Sequence, residues 1–381
     1  MEKKYLFSPG PTPIPSEVLL AMARPIIHHR DPAYEELFAQ VREDLKWLFQ
    51  TKNDVLLFAS SGTGPMDGAV SNLLSKGDKV LVISGGKFGE RWAEICEAYS
   101  VKVKNIEVTW GKAVDPDVIA NELENDPSFK AVFVQASETS TGVAHPIKEL
   151  CDIVKRYDNT IIVVDAISAL GVMDLPMDKW GIDVMVSGSQ KAFMLPPGLA
   201  MIGLSDKAWK FVEKSDLPKY YFDFKKELNN EKKNQNAFTP AISLVVGLKE
   251  SLSMMKKEGL ENLFARHEKL AKATREAAKA LGLELLAPDS PSNALTAIKA
   301  PDGIDGAKLK KNLEAHYGII AAGGQAHLKG KIIRIAHIGY FGPLDIIMAI
   351  SALEMELKRM GYPVELGKGV KIAEEILLEG E

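Results

Sequence analysis

The chain has 381 residues, 46% of them hydrophobic and 26% charged, with a formal net charge of -4 and a sequence pI of about 6.1. That length exceeds one ordinary hydrophobic core, so two domains are expected. The charge balance offers no basic surface for a nucleic-acid backbone, and no apolar run approaches the ~20 residues of a membrane span.

The opening MEKKYLFSPGPTPIP breaks at once into Gly and Pro and lacks the apolar core of a signal peptide. Short apolar runs follow: DVLLFAS (54–60), KVLVIS (79–84), AVFVQAS (131–137), TIIVVDA (160–166), DVMVSGS (183–189) and LAMIGL (199–204). Continuous Val/Ile/Leu runs without alternation predict strands buried on both faces. Most gaps between them hold a helical pattern, as in PMDGAVSNLLSKG and IKELCDIVKRYDN. Strand–helix repetition predicts an α/β domain with a mostly parallel sheet, whose ligands sit at the carboxyl ends of the strands. The only cysteines, Cys96 and Cys151, fall in two helical stretches. They form no disulfide framework and no metal cluster, and they fit a reducing cytoplasm.

After about residue 240 the pattern changes. Residues 241–281 read as a long helical stretch, two helices meeting near Gly259. Strand candidates SNALTAIKA and KIIRIAHIG and helices at 305–317 and 343–360 follow, predicting a smaller α+β domain. The tail KIAEEILLEGE is expected to be an exposed amphipathic helix.

The strand ends carry chemistry. After VLLFA come Ser60, Ser61, Gly62, Thr63 and Gly64, then a helix. This is either a phosphate cradle, built from glycines and free N–H groups at a helix N-terminus, or a plain Gly-rich turn. After TIIVV comes Asp165, a carboxylate that needs a partner or caps the next helix. After DVMVS comes Lys191, in a strip that otherwise reads as buried. Taken one by one, each has a structural explanation. In this order on one sheet, they supply what pyridoxal phosphate requires: an anion cradle, a carboxylate for the pyridine nitrogen, and an amine for a Schiff base.

The segments SPGPTPIP, SSGTGPMDGAVSNLL, GGKFGERW, SETSTGV, VVDAISALGV, SGSQKAFMLPPGLAMIG, FTPAISLVVGLKESL and IIRIAHIG together resemble the class V aminotransferases, within them the alanine–glyoxylate / serine–pyruvate group. The resemblance runs over nearly the whole chain. It implies the type I fold of pyridoxal-phosphate enzymes: a large domain with a mostly parallel seven-stranded sheet plus a smaller C-terminal α+β domain. The expected segments are residues 1–15 over the active site, 16–258 and 259–381. It implies pyridoxal 5'-phosphate as cofactor, no metal, and a homodimer with shared sites.

The resemblance also implies roles. Lys191 forms the Schiff base and shuttles the proton between substrate and cofactor. Asp165 pairs with the pyridine nitrogen. Ser61, Gly62, Thr63, Gly64 and Gln190 surround the phosphate, and Thr239 reaches the phosphate of the neighbouring subunit's cofactor. Phe88 stacks on the ring, Ile167 packs on its other face, and Thr139 meets the phenolic oxygen. Arg334 grips the substrate carboxylate, and Pro11 lines the substrate pocket. Two positions depart from some members of the family: Pro65 replaces a histidine and Asn236 a tyrosine, which puts one phosphate contact in doubt, although Asn236 keeps a donor amide. His28, His29 and Arg30 form a polar cluster that reads either as a solvated loop, the favoured reading, or as a site for a second substrate carboxylate. The implied activity moves an amino group from serine, alanine or aspartate to glyoxylate, pyruvate or 2-oxoglutarate by a ping-pong mechanism. The alternatives are a cysteine desulfurase-like lyase and a non-enzymatic subunit of a larger complex.

Overall fold

The strand predictions meet a seven-stranded sheet in the order Val55–Phe58, Ala200–Leu204, Val184–Gly188, Ile161–Asp165, Phe129–Gln135, Lys79–Ser84, Lys102–Glu107. The computed structural model describes residues 3–379, so the extremes of the expected 1–15 and 259–381 segments lie outside the described residues. All neighbours pair parallel except Ala200–Leu204, which runs antiparallel to both of its partners. Six of the seven are the apolar runs of the sequence. The seventh, Lys102–Glu107, carries three exposed Lys and Asn side chains and lies at the edge of the sheet. An edge strand needs no second apolar face, so its sequence lacks the signal of a buried strand.

Successive side chains of each strand serve opposite faces. Leu81 and Ile83 face a core containing Phe38, Phe49 and Val132. Val80 and Val82 face another containing Met66, Trp92 and Phe133. Each cysteine is buried, Cys151 in the first core and Cys96 in the second.

The long helical stretch divides at Gly259 into helices Ile242–Glu258 and Leu260–Ala280. Gly259 has φ 84°, a conformation that favours glycine and breaks the helical path. The second helix crosses between cores: Leu263 packs with the large one, Leu270 and Ala277 with a smaller one. The smaller core gathers around the antiparallel sheet Leu295–Lys299, Ile332–Ala336, Ala322–Gly323.

The tail departs from expectation. It forms an amphipathic helix, Lys368–Leu378, but one face is packed away, with Ala373, Ile376 and Leu377 buried. The buried carboxylate of Glu354 accepts hydrogen bonds from the N–H groups of Gly367, Gly369 and Val370, at 2.6, 2.6 and 3.0 Å. A neighbouring helix thereby satisfies the free N–H groups at the start of the tail helix.

The N-terminal segment is tied to the smaller core. Tyr5–Leu6 pairs parallel with Ile319–Ile320, and Phe7 is buried in that core. From there the chain runs onto the Lys191 turn: Thr12 Oγ1 donates to the Lys191 carbonyl at 2.9 Å.

Candidate active site

The carboxyl ends of the parallel strands supply the site, because there the chain leaves the sheet in turns. Phe58 leads into the Ser60–Gly62 turn and the helix Thr63–Leu73, and Ser84 into Gly85–Gly86 and the helix Lys87–Ala98. Gln135 leads to Glu138–Ser140, Asp165 ends its own strand, and Gly188 leads to Lys191.

Lys191 is only 9% exposed. Its Nζ donates to the Pro9 carbonyl at 2.6 Å. Burial lowers its pKa to about 8, with Asp165 raising it and Arg334 and Arg91 lowering it further. Gly10 lies so close that a Cβ there would stand 2.2 Å from Nζ, and its φ of +152° excludes most side chains as well.

Asp165 is 5% exposed, and its pKa is raised to about 7. Burial is the main cause; the Ile167 N–H, Lys191 and Arg91 pull it down, and Glu138 pushes it up. No helix starts after it. Its Oδ1 instead accepts from the Ile167 N–H at 2.9 Å within a turn.

Arg334 lies on the central strand of the smaller sheet, between Ala297 and Ala322, and is 7% exposed. Its Nε and Nη2 donate to the Gly323 carbonyl at 3.0 and 2.7 Å, and its Nη1 to the Thr139 carbonyl at 2.7 Å. A guanidinium has five N–H bonds, so one remains on each terminal nitrogen. Burial lowers its pKa to about 10, which leaves it charged near neutrality.

Other candidates gather on the same edge. Thr139 Oγ1 shares a 2.8 Å hydrogen bond with Ser168 Oγ. Ile167 packs so tightly on Gly62 that a Cβ there would lie 2.6 Å from its Cδ1. Gly62 also abuts Gly188, beside Gln190, whose Oε1 is buried without a partner. Thr63 starts its helix, and the Ser61 carbonyl accepts from the Gly64 N–H at 2.9 Å. Pro11 accepts at its carbonyl from Ser8 Oγ at 2.9 Å.

Two candidates are not brought to Lys191 within this chain. Asn236 is buried elsewhere: its Oδ1 accepts from the Tyr34 hydroxyl at 2.6 Å and its Nδ2 donates to Glu227 at 3.1 Å. One of its two amide N–H bonds is therefore committed inside the subunit. Thr239 is exposed at a crevice it shares with Tyr221 and Phe238. His28, His29 and Arg30 form a surface loop, where Arg30 Nη1 donates to Gln235 Oε1 at 2.5 Å.

The family model "Aminotransferase class-V" matches residues 4–337. The chain belongs to the class V aminotransferases. It is 44% identical over 381 residues to a protein named soluble hydrogenase, small subunit, from Synechococcus sp., with 99% of each chain covered. It is 37% identical to the L-aspartate–glyoxylate aminotransferase of Paracoccus denitrificans, over 97% of this chain and 95% of the other. Among solved structures, the ureidoglycine–glyoxylate aminotransferase of Bacillus subtilis superposes with a TM-score of 0.94 at 29% identity, covering 99% of this chain and 98% of that one. The architecture is the type I fold of pyridoxal-phosphate aminotransferases.

The cofactor of this aminotransferase is pyridoxal 5'-phosphate. The residues present fit it. A buried amine stands in the field of a buried carboxylate that accepts only one hydrogen bond, and Gln190 keeps an unpartnered oxygen beside the Gly62 turn. No group of three or more metal-binding side chains occurs among the described residues.

Two residues of this pocket escaped the sequence reading although both lie inside the segments that carry the resemblance. Glu138 is fully buried. Its Oε2 accepts from the N–H groups of Phe88 and Gly89 at 3.1 and 3.0 Å, and its Oε1 from Ser140 N–H at 3.0 Å and from Ser140 Oγ. Burial raises its pKa and these bonds lower it. It caps the Lys87–Ala98 helix and thereby fixes Phe88. Arg91, one turn later, holds its guanidinium 4.9 Å from the Phe88 ring centroid. Nothing in isolated sequence separates a capping Glu from a surface one; its position after a buried strand end is the available signal.

Replacing Glu138 by alanine is expected to destabilise the protein by about 2–3 kcal/mol, because two buried N–H groups lose their acceptor. Urea unfolding of the purified variant measures it. An unchanged midpoint and slope would show that water replaces the carboxylate at no cost.

Proposed function

We propose that this aminotransferase moves the amino group of a small L-amino acid, serine, alanine or aspartate, to a 2-oxo acid, glyoxylate, pyruvate or 2-oxoglutarate, by a ping-pong mechanism. The observation that carries the reading is Lys191, a buried amine bonded to the Pro9 carbonyl, with a pKa lowered by burial and acted on by the charges of Asp165 and Arg334. Glyoxylate stands first among the acceptors because relatives at 35–37% identity are named for it with serine or aspartate as donor.

When bound, the cofactor supplies an aldehyde carbon and an electron-withdrawing ring. Lys191 would be the amine for that carbon, and its Nζ the group that takes and returns the proton at the substrate's alpha carbon. Asp165 would stabilise positive charge on the ring nitrogen. The two free N–H bonds of Arg334, one on each terminal nitrogen, match a carboxylate and would orient the substrate. Phe88 and Ile167 would hold the ring, Thr139 its oxygen, and Ser61, Gly62, Thr63, Gly64 and Gln190 the phosphate end. Pro11 shapes the substrate side.

Thr239 and Asn236 belong to the dimer part of the proposal. Exposed Thr239 would reach a second copy's cofactor phosphate, whereas Asn236 bonds Glu227 on the helix Phe224–Glu231. The proposed assembly is a homodimer in the cytoplasm. No described helix is long and apolar enough to cross a membrane.

The lyase alternative needs a mobile nucleophilic cysteine. Both thiols are buried, and burial pushes Cys151 up to about 12 and Cys96 higher still. The hydrogenase name of one relative favours a second reading, a subunit without catalysis. A spectrum separates the two. L-serine, L-alanine and L-aspartate are added singly to the holoenzyme without any oxo acid. The expected result is loss of the bound cofactor's visible absorbance with at least one donor, restored by glyoxylate. No change with any of them would overturn the aminotransferase substrate assignment and favour the non-catalytic reading.

A further inference from the structure

The helix that begins at Thr63 is poorly equipped to hold a phosphate by itself. The Gly64 N–H is committed to the Ser61 carbonyl at 2.9 Å, and Pro65 has no N–H to give. Ser60 Oγ is turned to the Ser61 carbonyl at 2.9 Å. What remains at the turn are neutral donors: the N–H groups of Ser61, Gly62 and Thr63 and the hydroxyls of Ser61 and Thr63. A phosphate carries up to two negative charges, and a helix end supplies only about half a compensating charge.

One cation touches this turn. Arg91 Nη1 donates to Thr63 Oγ1 at 3.3 Å, and this is its one side-chain hydrogen bond among the described residues. No described carboxylate forms an ion pair with it. Glu90, its neighbour in sequence, is paired with Lys87. Its guanidinium rests on the Phe88 ring, 4.9 Å from the centroid, so its plane is already held. The Glu138 cap fixes the helix that carries both. Its charge also acts on Lys191 and Asp165, which places it in the field of the same pocket.

We propose that Arg91 is the cationic ligand of the cofactor phosphate, reaching it beside Thr63 and supplying the charge that the Thr63 helix end lacks. The inference rests on the reading of this pocket as the pyridoxal-phosphate site. A guanidinium presents two parallel N–H groups to phosphate oxygens, and Arg91 has four N–H bonds beyond the one given to Thr63. Binding would swap a long hydrogen bond to a neutral hydroxyl for shorter ones between opposite charges.

The test is an equilibrium titration of the full-length apoprotein, followed by protein fluorescence and not by turnover. The probes are pyridoxal phosphate, pyridoxal without the phosphate, and inorganic phosphate. In Arg91→Ala the Kd for pyridoxal phosphate is expected to rise about 10- to 100-fold, as for loss of charge-assisted hydrogen bonds, with the Kd for pyridoxal unchanged and competition by inorganic phosphate lost. Arg91→Lys should recover part of the affinity, and it serves if the alanine variant misfolds by its melting curve. Equal losses for pyridoxal and pyridoxal phosphate would overturn the proposal, because Arg91 would then act through Phe88. Unchanged pyridoxal phosphate affinity with weakened aspartate binding would overturn it in favour of a substrate carboxylate. Failure of the wild-type protein to bind pyridoxal phosphate would instead sink the underlying reading, and this proposal with it.

Discussion

Lys191→Ala is expected to lower kcat by about 10³- to 10⁴-fold, the upper part of the range for removal of a positioned acid–base group. The protein has already prepared this amine. With a pKa near 8, about a fifth of the Lys191 side chains are neutral at pH 7.4, against about one in a thousand for an unperturbed lysine. Only the neutral amine is a nucleophile, so this environment, burial first among its causes, raises the reactive fraction by roughly two orders of magnitude. Arginine cannot substitute, because its guanidinium stays protonated. The measurement is single-turnover loss of cofactor absorbance with L-serine or L-aspartate, with and without a small primary amine such as ethylamine. Partial rescue by the amine would show that the lost group was a base and not a packing element. A variant that transaminates at the wild-type rate would remove Lys191 from the mechanism.

Legibility followed burial. Six strands of the large sheet, the helix break at Gly259 and two of the three strands of the smaller sheet were readable because each carries a local signal: an apolar run, or a glycine interrupting a helical period. The Lys102–Glu107 strand has no such signal, since an edge strand with exposed Lys and Asn looks like a loop. The tail helix showed its amphipathic period, but not that its apolar face lies against the smaller core. A hydrophobic face predicts a partner without saying which element provides it.

The site divides along the same line. Lys191 and Asp165 stood out because a charge within or ending an apolar run is costly and asks for a reason; Arg334 came from the resemblance. Glu138 and Arg91 do not interrupt apolar runs. Their roles exist only once the Glu138 turn faces the start of the Lys87–Ala98 helix, a relation between strands that no local pattern encodes. The contacts of Asn236 were hidden for a related reason: the Tyr34 and Glu227 groups that meet its amide lie outside its local pattern.

Asp165→Asn is expected to cut kcat/KM by about 10²- to 10³-fold, the usual cost of removing one preorganised charge partner from a site. It should also change the pH dependence of stability, in opposite senses with and without cofactor. The folded pKa of Asp165 is about 7, against 3.8 in the unfolded chain. The folded state therefore prefers the protonated acid. Below pH 3.8 the group costs nothing. As pH rises toward 7 the unfolded chain ionises freely while the folded one resists, so stability falls, by up to about 4 kcal/mol for a shift of that size. Lys191 acts higher on the scale: its lowered pKa, about 8 against 10.5, penalises the folded protein below pH 8 and relieves it between 8 and 10.5. Both penalties overlap between pH 7 and 8, and under the proposed roles a positive ring nitrogen beside Asp165 and a bond to Nζ would remove them there. Unfolding midpoints of wild type and Asp165→Asn, each with and without pyridoxal phosphate, at pH 5 to 8 measure this. The cofactor-free variant should be the more stable protein at pH 8 and converge on wild type toward pH 4, while the cofactor should stabilise wild type more than the variant at pH 8. A pH-independent difference between the two cofactor-free proteins would mean that Asp165 is already ionised and solvated, and that the pocket does not hold it for a cationic ring.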